Sequence, residues 1–170
     1  MGTGGLFLRK LRARVANEPT GFVWVEKGGL AGSGYPASRG QLEWLVGQGV
    51  SSILTLTMDP LPKDLVEGLP LEVGHIPMKD HLAPDAESLD KGANFIIERL
   101  KADKTVLVHC LAGEGRTGCV LAAYLILTRR IGSDEAISIL RAIKPSFVES
   151  RQEASVRSYA GEVERRTSRT

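Results

Sequence analysis

A thiol and a guanidinium stand six positions apart in the run Val108-His109-Cys110-Leu111-Ala112-Gly113-Glu114-Gly115-Arg116-Thr117-Gly118. An apolar stretch, Thr105-Val106-Leu107-Val108, leads in, and a helix-forming stretch from Gly118 to Leu127 leads out. Strand, tight loop and helix in that order build an anion cradle. The loop amides converge on one point, and the helix N-terminus adds partial positive charge. A free thiol ionises near 8.5, whereas one at a helix N-terminus or beside a cation falls to roughly 3.5–7.5 and becomes a nucleophile at neutral pH. Gly113 and Gly115 permit backbone angles that turn successive amides inward. The segment Leu111, Ala112, Gly113, Glu114 and Gly115 is therefore expected to bind the oxyanion of a substrate. Arg116 presents a planar fork that matches two phosphate oxygens. Thr117 places a hydroxyl at the helix start, where it can donate to the sulfur. The chemistry these residues suit is attack of sulfur on a phosphate monoester.

Expelling an alkoxide or phenoxide requires a proton donor. Asp80 opens the segment Asp80-His81-Leu82-Ala83-Pro84, just after the apolar run that ends in His75-Ile76-Pro77, and is the candidate acid. Asp85 is the alternative, although its place after Pro84 suits a helix cap. His109 adjoins Cys110, but neighbouring strand residues face opposite ways, so a base in direct contact with the thiol is not expected. His75 reads as structural, and His81 as a loop residue at the mouth.

The pattern His-Cys-x5-Arg-Ser/Thr resembles the signature of the cysteine-dependent protein tyrosine phosphatase superfamily. More narrowly, the chain resembles the small atypical dual-specificity phosphatases, including the compact archaeal forms. The resemblance runs over about residues 22–160. It rests on Phe22-Val23-Trp24-Val25, Gly29-Leu30-Ala31-Gly32, the His75–Asp80 approach, the Cys110 loop, Tyr124–Thr128 and Val148–Glu153. It implies catalysis through a cysteinyl-phosphate, with Cys110, Arg116, Asp80 and Thr117 as catalytic residues. In the family the acid lies on a loop about thirty residues before the cysteine, as Asp80 does. The resemblance also implies that His109 organises hydrogen bonds beneath the loop, and that Gln152 falls near a glutamine that positions water in the second step. The family often reads Glu-Thr-Tyr-Glu-Gln there; this chain is one residue shorter and lacks the tyrosine. Taken by itself, Gln152 reads as a solvated residue in the first turn of a helix. Cys119 reads as a protective disulfide partner for Cys110, as some thiol phosphatases have, or as a small buried apolar residue; its place inside a helix favours the second.

The substrates implied are phosphorylated proteins, with phosphotyrosine and also phosphoserine or phosphothreonine cleaved. A compact chain has little room for the large loops that deepen a tyrosine-only pocket. A phosphoinositide or an RNA 5′-phosphate end is the alternative. Inositide enzymes of the superfamily often carry lysines in the loop, whereas Leu111 and Glu114 stand at those positions here.

At 170 residues the chain fits one domain. Its 42% hydrophobic and 25% charged residues are an ordinary globular balance, and a net charge of +2 points to no polyanionic partner. No nucleic-acid partner is expected. Two cysteines build neither a disulfide framework nor a four-ligand zinc site, so no metal or other cofactor is expected and a reducing cytoplasm fits. The longest apolar stretch, near 119–127, is too short to span a bilayer, and no stable membrane anchor is expected. Residues 1–20 form a basic leader that packs its apolar stripe on the domain, touches an anionic surface or stays disordered.

Strands are expected at 22–25, 30–31, 52–57, 71–76 and 105–108. A helical turn is expected at 64–67. Ser38, Asp85 and Ser133 are expected to cap helices, and Ser150-Arg151-Gln152-Glu153 to form a capping box for the last one. The catalytic domain spans 21–163 and the tail 164–170 frays. The resulting fold is a single α/β domain with a mostly parallel sheet covered by helices on both faces. The phosphate loop joins a strand to a helix at the carboxyl end of the sheet, where such folds bind ligands.

Overall fold

The computed structural model describes residues 17–169. Five strands, β1 (Val23–Glu26), β2 (Leu30–Ser33), β3 (Ser52–Thr55), β4 (Glu72–His75) and β5 (Val106–His109), form one sheet in the order β1-β2-β5-β3-β4. β1 and β2 are antiparallel, and every other pairing is parallel. The helices are α1 (Arg39–Gly47), α2 (Lys63–Val66), α3 (Ala86–Lys101), α4 (Gly115–Arg129), α5 (Ser133–Ile143) and α6 (Glu153–Thr167).

Alternation along β5 divides the core. Val106 and Val108 join the cluster built with α3, α4, α5 and α6, whereas Leu107 joins the cluster with Leu42 and Leu45 of α1. β5 is central, with β2 and β3 parallel on either side, and all three are buried throughout. The continuous apolar run of Val106-Leu107-Val108 is what a doubly covered parallel strand requires. α4 is buried from Gly115 to Ile126 and lies among α3, α5 and α6.

Ser38 and Asp85 cap their helices, accepting from the Gln41 amide at 3.3 Å and the Ser88 amide at 2.7 Å. Two expected caps do not form. Gly132 takes the cap position of α5, leaving Ser133 as its first residue. Ser150–Gln152 is a 3-10 turn without a side-chain cap. Glu153, expected to complete the capping box, instead accepts from Arg141 at 2.6 Å and Arg157 at 3.1 Å. α6 continues through the start of the expected tail to Thr167, and Arg166 pairs with Asp90 at 2.9 Å. Residues 1–16 of the leader lie outside the described residues. Pro19 is buried, and the Thr20 carbonyl accepts from the Gly34 amide at 2.8 Å. Among the described residues no helix is long and apolar enough to cross a membrane.

Candidate active site

Cys110 follows β5 directly and α4 begins at Gly115, so the loop between them sits at the carboxyl end of the central strand. The Cys110 thiol is 2% exposed, and its Sγ accepts from the Gly113 amide at 3.2 Å. Gly113 has φ +71°, and a Cβ there would stand 2.2 Å from the Ser33 carbonyl carbon and oxygen. Glycine is thus demanded twice, by the left-handed backbone and by the closeness of β2.

Contacts from distant segments fix the loop. The Tyr35 amide donates to the Leu111 carbonyl at 3.0 Å, and Lys144 Nζ donates to the Gly113 carbonyl at 2.8 Å. The Val148 amide donates to the Glu114 carbonyl at 3.4 Å. Arg141 holds the carbonyls of Phe147 and Val148 at 3.2 and 2.6 Å. Leu111 and Ala112 are exposed at the rim. None of the lysine, tyrosine or Arg141 contacts was foreseen from the sequence.

His109 is fully buried on the face opposite Cys110, as strand alternation requires. Its Nδ1 lies 3.2 Å from the Cys110 carbonyl and its Nε2 2.9 Å from Thr55 Oγ1. A carbonyl only accepts, so Nδ1 carries the proton and Nε2 accepts from the threonine hydroxyl. Burial pushes the imidazole pKa down to about 4, which keeps it neutral. It braces the loop from below and does not touch the sulfur.

Arg116 is 3% exposed. Its Nη1 donates to the Met78 carbonyl at 3.0 Å, and its Nη2 pairs with Asp80 Oδ1 at 2.7 Å. Asp80 Oδ1 also accepts from the His81 amide at 3.0 Å. Asp80 thus reaches the Cys110 loop, whereas Asp85 is occupied at the cap of α3. There the Ser88 amide holds its carboxyl below the usual range. Asp80, His81, Cys110, Leu111, Ala112, Gly115, Arg116, Glu149 and Gln152 enclose a cavity of about 110 Å³. Ligand pockets for whole small molecules run to roughly 300–1,000 Å³, so this cavity suits one substituent rather than an entire metabolite.

Gln152 is not solvated: it is 1% exposed. Its Nε2 donates to the Leu82 carbonyl at 2.9 Å, and its Oε1 accepts from Cys119 Sγ at 3.9 Å. A Cβ on Gly115 would stand 2.3 Å from that oxygen, so the amide lies directly against the loop. Cys119 is a fully buried free thiol whose pKa burial pushes up to about 12. Thr117 is buried too, but its hydroxyl has no partner in the structure, and the expected donation to Cys110 is not made. Glu114 precedes α4 at its cap position without a side-chain cap bond. His75 Nε2 donates to the Thr57 carbonyl at 2.8 Å, and the ring is structural. Among the described residues no three His, Cys, Asp or Glu side chains converge as metal ligands.

A thiol at the base of a one-substituent cavity, a guanidinium on its wall and a carboxylate opposite can together perform covalent phosphoryl transfer. The comparisons with known proteins agree. Residues 19–156 match the family model described as Swiss Army Knife protein, DSP-PTPase phosphatase domain. The dual specificity protein phosphatase Mpk3 of Drosophila melanogaster is 36% identical over 97 residues, covering 56% of this chain and 23% of that protein. The phosphatidylglycerophosphate phosphatase PTPMT2 of Arabidopsis thaliana is 33% identical over 102 residues, covering 57% and 44%. The matched region is thus less than half the length of either relative. Among solved structures, Tk-PTP in its active form superposes with a TM-score of 0.74 at 32% identity, covering 83% of this chain and 96% of that one. PTPMT1 superposes with a TM-score of 0.76 at 20% identity, a likeness of fold. With a family model matched across most of its length and a cysteine loop standing where β5 meets α4, the chain belongs to the dual-specificity (DSP-PTPase) family of protein tyrosine phosphatases, hydrolases of phosphoric monoesters.

Proposed function

We propose that the chain is a phosphoprotein phosphatase that hydrolyses phosphotyrosine and also phosphoserine and phosphothreonine through a cysteinyl-phosphate. The observation that carries this reading is the position of Cys110 Sγ under the Gly113 amide, in a cavity shared with Arg116 and Asp80. In the first step the Cys110 thiolate forms an S–P bond as the P–O bond to the side chain breaks. Asp80 gives its proton to the departing oxygen. In the second, water attacks phosphorus and the Asp80 carboxylate takes its proton. Phosphate leaves and Cys110 returns as thiolate. Arg116 binds two phosphate oxygens and follows them into the transition state. The loop amides from Leu111 to Arg116 are assigned to bind the same oxyanion. The buried hydroxyl of Thr117 is available to the sulfur as it leaves, and the water is assigned to Gln152, whose buried side chain lines the cavity.

A second reading, a phospholipid phosphatase, is favoured by the likeness to the phosphatidylglycerophosphate phosphatases. Glu114 in the loop and Glu149 in the cavity wall weigh against a highly anionic headgroup. The two free thiols are consistent with a reducing, cytoplasmic setting.

The test is a panel of initial rates on phosphotyrosine, phosphoserine and phosphothreonine peptides, an inositide, phosphatidylglycerophosphate and a triphosphate-ended RNA, with Cys110→Ser beside the wild type. The phosphopeptides should be turned over fastest. Cys110→Ser should lose all turnover yet still bind phosphate. A faster rate on a lipid or RNA overturns the substrate assignment, and a phosphoenzyme formed on any other residue overturns the nucleophile.

A further inference from the structure

Arg116 Nη2 pairs with Asp80 Oδ1 at 2.7 Å, so a bound phosphate competes with Asp80 for the same guanidinium. To act as the acid Asp80 must carry a proton, and a neutral carboxyl no longer ion-pairs with a guanidinium that a phosphate dianion shares. Once the guanidinium turns to the substrate, the Asp80 loop loses that hold, at the moment when the acid must be in register with the leaving oxygen.

A second set of contacts does not involve the cavity's cation. Arg151 Nη2 donates to His81 Nδ1 at 2.9 Å, Gln152 Nε2 donates to the Leu82 carbonyl at 2.9 Å, and Ser155 Oγ donates to the Pro84 carbonyl. Three rungs thus join 151–155 to 81–84. The far side of this segment is fixed to the body that carries Cys110 and Arg116. Gln152 accepts from Cys119 of α4, Arg151 Nε donates to Glu149 at 2.6 Å, and Arg141 of α5 grips both Val148 and Glu153. The first rung reaches the acid itself. Arg151 can only donate, so His81 Nδ1 accepts, and the Nε2 side of the ring stands 3.5 Å from Asp80 Oδ2. His81 stands in the left-handed region at φ +60°.

We propose that residues 151–155 form a strap that positions the Asp80 loop over Cys110 after substrate phosphate has drawn Arg116 away from Asp80. Arg151 and Ser155 are positioning residues, acting through His81 and Pro84. The proposal rests on Asp80 being the general acid.

The test uses Arg151→Ala, Ser155→Ala and their combination, leaving Gln152 intact because it lines the cavity. Two substrates are compared, a phosphotyrosine peptide and an aryl phosphate whose leaving group is acidic enough to depart unaided. Removing one ordinary hydrogen bond is worth about fivefold, so the double variant should lose about tenfold or more in kcat on the peptide. KM should stay the same, and the activated ester should be cleaved at nearly the normal rate. In an Asp80→Asn background the same substitutions should add nothing. Equal losses on both substrates, or no loss on the peptide, overturn the strap. If Asp80→Asn slows the peptide selectively while the strap variants do not, the strap alone falls. If Asp80→Asn shows no selectivity, the acid assignment falls and the strap with it.

Discussion

Along residues 110–116 the backbone is gripped from beneath by Lys144, Tyr35, Val148 and His109, and Gly113 leaves no room for even one added carbon. Along residues 80–83 every residue is exposed, and among the described residues the ties come from Arg116 on one side and the 151–155 segment on the other. The two loops face one cavity but answer different demands. Stabilising charge on phosphate oxygens requires dipoles set before the reaction, and a loop that yields would waste them. An acid that must give a proton to one oxygen and later take one from another needs to adjust between the two steps, which a loop on the surface allows.

The largest expected effect comes from removing the function of the exposed loop. Asp80→Asn should slow phosphotyrosine hydrolysis by roughly 10²–10⁴, the usual share of a general acid, and slow an activated aryl phosphate far less. Asp85→Asn should leave both rate and stability near normal, because asparagine caps α3 as well as aspartate does. If Asp85→Asn carries the leaving-group effect instead, the contrast between the loops has been drawn around the wrong carboxylate.

Next in size is a test of rigidity. Gly113→Ala places a carbon on the backbone of Ser33 and Gly34, where neither β2 nor the loop can yield cheaply. Displacing the reacting groups by about 1 Å costs on the order of 10² in kcat/KM, and that is the loss expected. Ala83→Gly, on the exposed loop, should change kcat/KM by no more than a few fold. Comparable losses at the two positions would mean that the loops do not differ in tolerance.

The same contrast explains what could be read from the sequence. The Cys110 loop is local: an apolar strand, two glycines and a helix lie within one short run, so its place at the end of β5 was legible. Asp80 was legible from its position after β4, and the caps at Ser38 and Asp85 from single residues. Contacts that cross the fold were not. Lys144 meets Gly113 from 31 residues away, and Gln152 meets Leu82 from 70. Gln152 resembles a surface residue until α6 is seen to place the preceding turn against α4. Ser150 opens a 3-10 turn and makes no cap bond, and Glu153, its expected partner, accepts from Arg141 and Arg157. Thr117 was expected to reach the sulfur, yet the distance between a helix start and a thiol depends on side-chain packing that spacing alone does not fix.

The last effect expected lies beneath the rigid loop, in the response of stability to pH. His109 is neutral in the fold, with its pKa pushed down to about 4 chiefly by burial, with Arg116 and His75 acting in the same direction. The hydrogen bond to the Cys110 carbonyl opposes the shift but does not cancel it. In the unfolded chain the same imidazole titrates near 6.5. Between those two values the unfolded state holds a proton that the folded state does not. This contribution is therefore complete above pH 6.5, falls as pH drops toward 4, and is constant below. The loss over that window is about 3 kcal/mol, or a few hundredfold in the unfolding constant. Urea unfolding of the wild type and of His109→Asn at pH 7, 5.5 and 4.5 measures it. Carboxylates titrate in both proteins, so the difference between the two slopes isolates the imidazole and should correspond to about one proton. Parallel slopes would mean that His109 carries its second proton inside the fold. In that case Thr55 accepts from Nε2 rather than donating to it, and the brace beneath Cys110 is a cation.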